Sequence, residues 1–371
     1  MDSLTQICLG AAVGGAVMAP AIRHLPVERR GAAIRYALLG GAALGTLPDL
    51  DVMIDYGDAV ANYTHHRGFS HSLPVLGLLG ILLGWLLARL PRLAPLGRGR
   101  LIAYCLLCLV THPLLDAFTT YGTQLLWPWP SRPVSLASIF IIDPLYTLPL
   151  LITGLWVAIR GHAGRLLATG LMLSSLYLGW GLAAKSWVEH RMAPVLASQG
   201  FADAPRMVQP TPFNSLLWRV SVVTPLADHE WMVGVFDSDE QLMALARRDF
   251  PRQPALDAEV GKLEDGQRLR WFAAPYLRAS RERTSEGETL LAVTDTRLGS
   301  PGYHPFRFAL ARQTSTREWH SLDDSQRLPS QRVDRAALLS LWQAIHDPAS
   351  RMQPGQRTVS ATPSSPSTET R

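Results

Sequence analysis

Six apolar stretches, each long enough to cross or nearly cross a lipid bilayer, follow one another in the first half of the chain. They cover residues 6–22, 32–47, 73–90, 101–118, 138–159 and 164–184. A transmembrane helix needs about 20 predominantly apolar residues, so this pattern is typical of membrane helices. The first two stretches are short and rich in glycine and alanine, which lets helices pack closely in lipid and also suits half-buried or re-entrant segments. The pattern predicts a membrane α-helical bundle of about six segments.

The pattern changes after residue 184, where charges of both signs return as in a water-exposed domain. Short runs with partial alternation of apolar and polar residues predict strands at 217–223, 231–236, 290–294 and 306–311. Two further runs, 241–248 and 336–345, have the spacing of amphipathic helices. The last residues are rich in Ser, Thr, Pro, Gln and Arg, a composition typical of disorder. We therefore predict a membrane helical domain (1–184), a small extracytoplasmic α+β domain (185–346) and a disordered tail (347–371).

Arginines are concentrated in alternate connections between the apolar stretches. The rich connections contain Arg23, Arg29, Arg30, Arg35, Arg89, Arg92, Arg98, Arg100, Arg160 and Arg165. The intervening connections contain only Arg67 and Arg132. Because basic residues mark the cytoplasmic side of a membrane protein, we expect a multi-pass protein of a bacterial inner membrane. Its N-terminus and its C-terminal domain are predicted to lie in the periplasm.

Composition and short motifs argue against a nucleic-acid partner, a cleaved signal peptide and a redox role for the cysteines. The net charge of +5 comes with arginines in short connections and with no basic stripe interleaved with aromatics, so a nucleic-acid partner is not expected. Residues 1–4 lack the basic residues of a signal peptide, and the first helix is expected to be retained. Cys105 and Cys108 have CxxC spacing without a second pair, so they and Cys8 are interpreted as apolar packing residues.

Ten polar residues lie in or beside the apolar stretches, and all of them fall at the predicted outer face. They are Asp2, Gln6, Asp49, Asp51, His65, His66, His71, His112, Asp116 and Asp143. Such residues are costly near hydrocarbon unless something neutralises them, which indicates a functional site. Carboxylates and imidazoles are ligands of a hard or borderline metal ion. We therefore predict a centre for a divalent metal, with zinc the favoured ion.

The predicted metal ligands are Asp49, Asp51, His65, His66, His71, His112, Asp116 and Asp143. Each short motif also has a simpler interpretation. His112 and Asp116 share a helix face at i, i+4 and could chelate one ion, or could form only a structural hydrogen bond. Asp49 and Asp51 could be solvated loop acids, and the three histidines around Gly68 could form a pH-sensing loop. Asp143 is expected either to bind the metal or to orient a histidine.

Three more polar residues have predicted roles beside the ligands. Arg67 could stabilise negative charge that develops on a substrate oxygen, or could contact a lipid headgroup. Ser70 and Ser72 are interpreted as caps of the third helix rather than as nucleophiles. Asp49 or Asp51 could act as the general base.

Four ordered phrases carry a family resemblance. They are residues 1–6, 47–51, 66–72 and 112–116, the last running into Thr119-Thr120-Tyr121-Gly122 and Trp127-Pro128. Over residues 1–160 the chain resembles the membrane-bound, metal-dependent hydrolases, a family that takes in an SOS-induced inner-membrane protein. The resemblance implicates Asp49, Asp51, His66, His71, His112 and Asp116. Many members have a histidine where this chain has Gln6, and glutamine is a poor zinc ligand. A more distant pattern, with Asp51, His65, His112 and Asp116, is similar to zinc-dependent phospholipase C.

These observations lead to a first hypothesis of a zinc-dependent hydrolase acting at the periplasmic face on a membrane lipid, a lipid-linked substrate or a phosphate ester. In it, water activated by the ion attacks the ester while Arg67 stabilises charge. The alternative is a non-catalytic membrane module whose metal site holds helices together and whose periplasmic domain binds an envelope partner. A closed shell of four protein ligands would favour the alternative, and an open coordination position would favour the enzyme. A metal or proton transporter is a third possibility, but it predicts acids in mid-helix rather than at one end.

Overall fold

The computed structural model describes residues 1–161, 164–314, 318–330 and 335–351. Its first part is helical. The α-helices are α1 (Ser3–Ile22), α2 (Val27–Thr46), α3 (Ala59–His65), α4 (Leu73–Leu87), α5 (Arg98–Asp116), α6 (Pro144–Arg160) and α7 (Gly164–Ser198). Short 3₁₀ helices lie between them at Leu47–Met53, Phe69–His71 and Ala94–Leu96. Each predicted apolar stretch thus contains a helix, although α6 begins only at Pro144 within the stretch 138–159.

Three of these helices are long and apolar enough to cross a membrane: α1, α5 and α7. A fourth span results if the bent pair Ala59–His71 and Leu73–Leu87, which meet at 45°, counts as one. The predicted six spans are not confirmed. Helix α2 is polar at its start, with Glu28, Arg29 and Arg30, and α6 has only 17 residues. The predicted order of a helical region followed by a small sheet domain is confirmed.

Helices α1 and α2 pack backbone against backbone. A Cβ atom on Gly41 would overlap the carbonyl oxygen of Gly10, and one on Gly45 would lie 2.9 Å from the carbonyl oxygen of Gln6. Only glycine permits this approach, as in other closely packed membrane helices. The contact fixes the end of α2, from which the chain continues directly into the 3₁₀ helix Leu47–Met53.

The C-terminal region contains two four-stranded antiparallel sheets. The first has the order β1 (Arg206–Pro210), β2 (Leu217–Val223), β3 (Ala227–Gly234), β4 (Arg248–Pro251). The second has the order β5 (Leu277–Arg283), β6 (Thr289–Asp295), β7 (Arg307–Gln313), β8 (Trp319–Arg327). The helices of this region are α8 (Glu240–Leu245), α9 (Pro254–Val260), α10 (Glu264–Ala273) and α11 (Arg335–His346). Of the predicted disordered tail, Pro348–Arg351 form a short 3₁₀ helix, and residues 352–371 lie outside the described residues.

Two apolar clusters of the described residues join this region to the helices. Helix α7 is continuous over 35 residues, and its last turns, with Val188 and Met192, pack on Trp218 and Trp231 of the first sheet. The predicted boundary at residue 184 falls inside this helix. The second sheet packs instead on Tyr63 of α3 and on Tyr121, through an apolar cluster that includes Phe308. The second sheet therefore lies directly over the polar ends of the membrane helices.

Candidate metal centre

Four side chains from three separate segments converge at one end of the helical region. Asp49 comes from the 3₁₀ helix after α2, His71 from the 3₁₀ helix before α4, and His112 and Asp116 from the last turns of α5. One ligand atom from each lies within 4.8 Å of all the others. The structure therefore contains a possible metal-binding cluster, made of four of the eight predicted ligands.

The spacing within this cluster suits a tetrahedral ion. His71 Nε2 lies 3.1 Å from His112 Nε2, and 3.4 and 3.2 Å from the nearer oxygens of Asp49 and Asp116. His112 Nε2 lies 3.3 and 3.4 Å from the same two oxygens. Bonds of about 2.0–2.1 Å from zinc to histidine and carboxylate ligands require ligand atoms about 3.3–3.4 Å apart in a tetrahedron. The observed distances are close to that requirement.

Hydrogen bonds on the far side of both rings determine which nitrogens face the cluster. His112 Nδ1 bonds the carbonyl oxygen of Gly45, which can only accept. Ser70 Oγ donates its proton to Asp51 at 2.6 Å, so it accepts from His71 Nδ1 at 2.9 Å. Each neutral ring then presents the lone pair of Nε2, as a metal ligand does.

The cluster brings four acceptor groups together, of which Asp116 also contacts the Arg67 guanidinium and the Met1 amino group. Two imidazole lone pairs meet two carboxylates, and His71, His112 and Asp116 are at most 1% exposed. Asp116 Oδ2 points into the cluster without a hydrogen-bond partner. Buried acceptors facing one another are unfavourable unless a proton or an ion lies between them. The donor set, two imidazoles and two carboxylates, fits zinc.

Asp51 lies beside the cluster rather than in it. Its two oxygens accept hydrogen bonds from His66 Nδ1 at 2.9 Å, the Arg67 amide at 3.0 Å and Ser70 Oγ. Burial raises the pKa of Asp51, but the hydrogen bonds from His66 and Ser70 outweigh it, so its pKa is lowered. The ionised carboxylate thus orients His66 and, through Ser70, His71.

Arg67 is held beside the cluster in an unusual conformation. Its φ of 61° is left-handed, which costs a non-glycine residue energy and is found where surrounding contacts enforce it. Its guanidinium is 3% exposed and lies 3.3 Å from Asp116 Oδ2, 3.1 Å from Thr119 Oγ1 and over the Tyr121 ring. This buried positive charge lies next to the predicted ligands, as proposed from the sequence.

The remaining predicted ligands have other contacts. The His65 ring stacks on Tyr56, with the ring centroids 4.9 Å apart. Asp143 caps α6 through the Leu145 amide and accepts from the Tyr177 hydroxyl at 2.9 Å. Neither belongs to the cluster of converging atoms.

The N-terminal segment completes one side of the cluster. Gln6 donates to Asp116 Oδ1 at 3.1 Å through its amide nitrogen, and the Met1 amino group contacts the same oxygen. The Gln6 side chain therefore supports a predicted ligand by hydrogen bonding.

A cavity of about 640 Å³ lies next to the cluster, between the helical region and the second sheet. Asp51, His66 and Arg67 line it on one side, and Phe306 and Phe308 of the C-terminal region on the other. A cavity of this size is within the range of small-molecule binding sites. The site thus combines a possible metal-binding cluster, a buried cation and a partly open cavity.

Sequence reasoning missed several residues around this site. Gly45 acts through its carbonyl oxygen, which every residue possesses, so no sequence signal could have identified it. Ser70 was interpreted as a helix cap, but Ser72 caps α4 while Ser70 connects Asp51 with His71. The position of Ser70 between the histidines was the available signal. Phe306 reaches the cavity only through the tertiary fold.

Comparisons with known proteins place the chain among inner-membrane proteins. A family model described as YdjM inner membrane protein matches residues 1–188, about half of the chain. Protein YfhP of Bacillus subtilis (strain 168), described as uncharacterized, is 28% identical over 311 residues, which is 82% of this chain and 89% of that protein. Inner membrane protein YbcI of Escherichia coli (strain K12) is 32% identical over 130 residues, which is 33% of this chain and 62% of that protein.

No solved structure gives a significant match. The family match covers α1 to α6, most of α7 and all four residues of the cluster. It supports the predicted membrane location at the level of an inner-membrane protein. The chain belongs to the YdjM inner membrane protein family.

Proposed function

We propose that this protein is a metal-dependent hydrolase, with zinc as the favoured ion, acting at the membrane surface on a lipid-linked or phosphate ester. The observation that carries the proposal is that Arg67 touches both parts of the site. It lies 3.3 Å from Asp116 of the cluster and also lines the 640 Å³ cavity. A purely structural metal site does not require a buried cation that also faces a cavity.

A divalent ion held by Asp49, His71, His112 and Asp116 would lower the pKa of water and polarise an ester oxygen. The other residues of the chain would position the substrate. Arg67 would stabilise negative charge that develops on a substrate oxygen in the cavity. His66, held by Asp51 through Nδ1, has Nε2 as its remaining polar atom for a hydrogen bond to the substrate. Asp49, with 21% of its side chain exposed, is the most exposed of the four cluster residues.

A second candidate function follows from the number of ligands. Four protein ligands complete a tetrahedral shell, which is typical of structural zinc sites. In that case the ion would hold α2, α4 and α5 together, and the C-terminal region would bind an envelope partner. Zinc in enzymes can also expand to five ligands, so the ligand count alone does not exclude catalysis.

Replacing Arg67 separates the two functions. We expect Arg67→Ala to lower hydrolysis of a chromogenic phosphodiester about 100-fold or more, since it removes charge stabilisation in the transition state. Bound metal and melting temperature should stay near those of the wild type. The measurements are steady-state rates, metal content and thermal unfolding of detergent-purified protein. Arg132→Ala, at an exposed arginine of another connection, is the matched control.

Two outcomes would overturn the enzyme proposal. Full activity of Arg67→Ala would remove this residue from the mechanism. A wild-type protein without hydrolysis of phosphodiesters or carboxylic esters, whose melting temperature falls in step with metal removal, would favour the structural function, because metal binding energy is then folding energy.

We also propose that all six long helices, α1, α2 and α4 to α7, lie in the membrane with the site and C-terminal region on the periplasmic side. The support is the location of ten arginines toward the opposite helix ends, three in connections and seven in the adjoining helical turns. Alkaline phosphatase fused after Gly200 should therefore be active, and a fusion at Gly97 should be inactive. Green fluorescent protein at the same positions should give the reverse pattern. Activity at Gly97 and none at Gly200 would reverse the orientation.

A further inference from the structure

The cavity beside the metal cluster has one edge made of exposed apolar side chains. In and just after the 3₁₀ helix Leu47–Met53, the side chains of Leu50, Val52, Met53 and Ile54 are 54, 69, 82 and 44% exposed. The last three of these also line the cavity. Burying this much apolar surface in lipid would be favourable, whereas exposing it to water is costly.

This edge continues around the same end of the helices. Ile141, which also lines the cavity, is 38% exposed. In the same connection, between α5 and α6, Trp127 and Trp129 are 41 and 62% exposed, and Trp127 packs on Phe69. Exposed tryptophans at helix ends are typical of the boundary between lipid and water. The opening of the cavity is therefore at the level of the membrane surface.

The opposite wall of the cavity carries an available positive charge. Arg327 of β8 lines the cavity with its guanidinium over the Phe306 ring and donates from Nη2 to the Pro305 carbonyl oxygen at 3.5 Å; it forms no ion pair with a carboxylate of the described residues. The two acids of the lining do not pair with Arg327, since Asp51 accepts from His66, the Arg67 amide and Ser70, and Asp55 accepts from the Gly57 amide and Asn62. An anionic group is the ligand that this charge fits.

We infer that the cavity takes a membrane lipid with an anionic headgroup, which reaches it sideways from the bilayer past residues 50–54. The headgroup would contact Arg327 while the acyl chains stay outside, on the apolar edge. The volume supports this division, because about 640 Å³ is enough for a headgroup-sized ligand but the chains need further apolar surface. The inference rests on the proposed function for the use of the lipid, but its test does not require hydrolysis.

The first part of the test measures membrane contact of the apolar edge. Full-length Met53→Cys protein is labelled with an environment-sensitive fluorophore and reconstituted into vesicles whose acyl chains carry bromine. We expect strong quenching at Met53. Phe236→Cys is the matched control, because Phe236 is similarly exposed, at 79%, but lies in the C-terminal region away from the cavity lining. The native cysteines are buried, and labelled wild type gives the background. Equal quenching at both positions, or none at Met53, would overturn lateral access.

The second part measures lipid binding. Protein in phosphatidylcholine nanodiscs containing a photoreactive phosphatidylglycerol should crosslink within residues 50–56 or at Phe306 and Phe308. Arg327→Glu should lower this crosslinking about fivefold, as expected for one cationic contact with an anionic lipid. Arg283→Glu, in the same sheet but not at the cavity, should leave it unchanged.

Excess inorganic phosphate distinguishes a lipid headgroup from free phosphate as the source of the anionic group. We expect it to leave the crosslinking intact, because the acyl chains add apolar contact. Complete displacement by phosphate, or crosslinking unaffected by Arg327→Glu, would overturn the inference. A protein that crosslinks as expected but hydrolyses no ester would contradict the proposed function alone.

Discussion

Replacing His71 by alanine should remove nearly all metal from the purified protein, whereas replacing His65 should leave the metal content unchanged. Both histidines lie in the same short phrase, but only His71 has Nε2 among the converging ligand atoms, while His65 stacks on Tyr56. Because loss of an outer-shell contact alone costs about 10–100-fold in metal affinity, loss of a ligand should cost at least about 100-fold. Metal per chain is measured by mass spectrometry after purification in detergent.

A second pair of variants controls for burial. Asp116→Asn should behave as His71→Ala does, and Asp143→Asn should retain metal. Both acids are at most 1% exposed at the same end of the helices, but Asp143 bonds Tyr177 and caps α6. Equal metal content in all four variants would show that the cluster does not bind the ion.

Replacing Gly41 by leucine should prevent α1 and α2 from packing and should destabilise the protein by about 3 kcal/mol or more, at the upper end of overpacking effects. The obstruction is the carbonyl oxygen of Gly10, which belongs to backbone and cannot rotate away as a side chain would. Metal should be lost as well, because Gly45 on the same helix holds His112. Thermal unfolding followed by size-exclusion fluorescence measures the first effect, and metal analysis the second.

The matched control is Gly77→Leu. A Cβ atom on Gly77 in α4 would meet nothing within 4 Å, so the substitution should leave stability and metal content nearly unchanged. If Gly41→Leu melts within about a degree of Gly77→Leu, the close approach of α1 and α2 does not stabilise the protein to the extent that overpacking energies predict.

The sequence indicated where the site would form but not which role each of its residues has. The predicted helix ends placed ten polar residues close together, but only four of them converge, and Asp143 and His65 make other contacts. Asp49 and Asp51 are equivalent in sequence, each an acid after Pro48. Only the fold shows that Asp49 joins the cluster while Asp51 accepts from His66, Arg67 and Ser70.

Sequence patterns also predicted only part of the C-terminal region, for a different reason. The predicted strand at 217–223 coincides with β2, whose residues are all buried and apolar enough to be recognised. Strands β1, β4, β5 and β8 were not predicted; β5 and β8 are largely polar and are held by pairing with β6 and β7. That pairing depends on long-range register, which local patterns do not contain.

Helix α7 is a rigid element that extends across and beyond the bilayer surface. Its 35 residues extend about 53 Å at 1.5 Å per residue, well beyond a hydrocarbon thickness of about 30 Å. The far end is packed against the first sheet, so tilting of this helix would carry the C-terminal region with it. Membrane helices tilt to match lipid thickness. A bilayer of different thickness that tilts α7 would therefore also move the first sheet packed on its end.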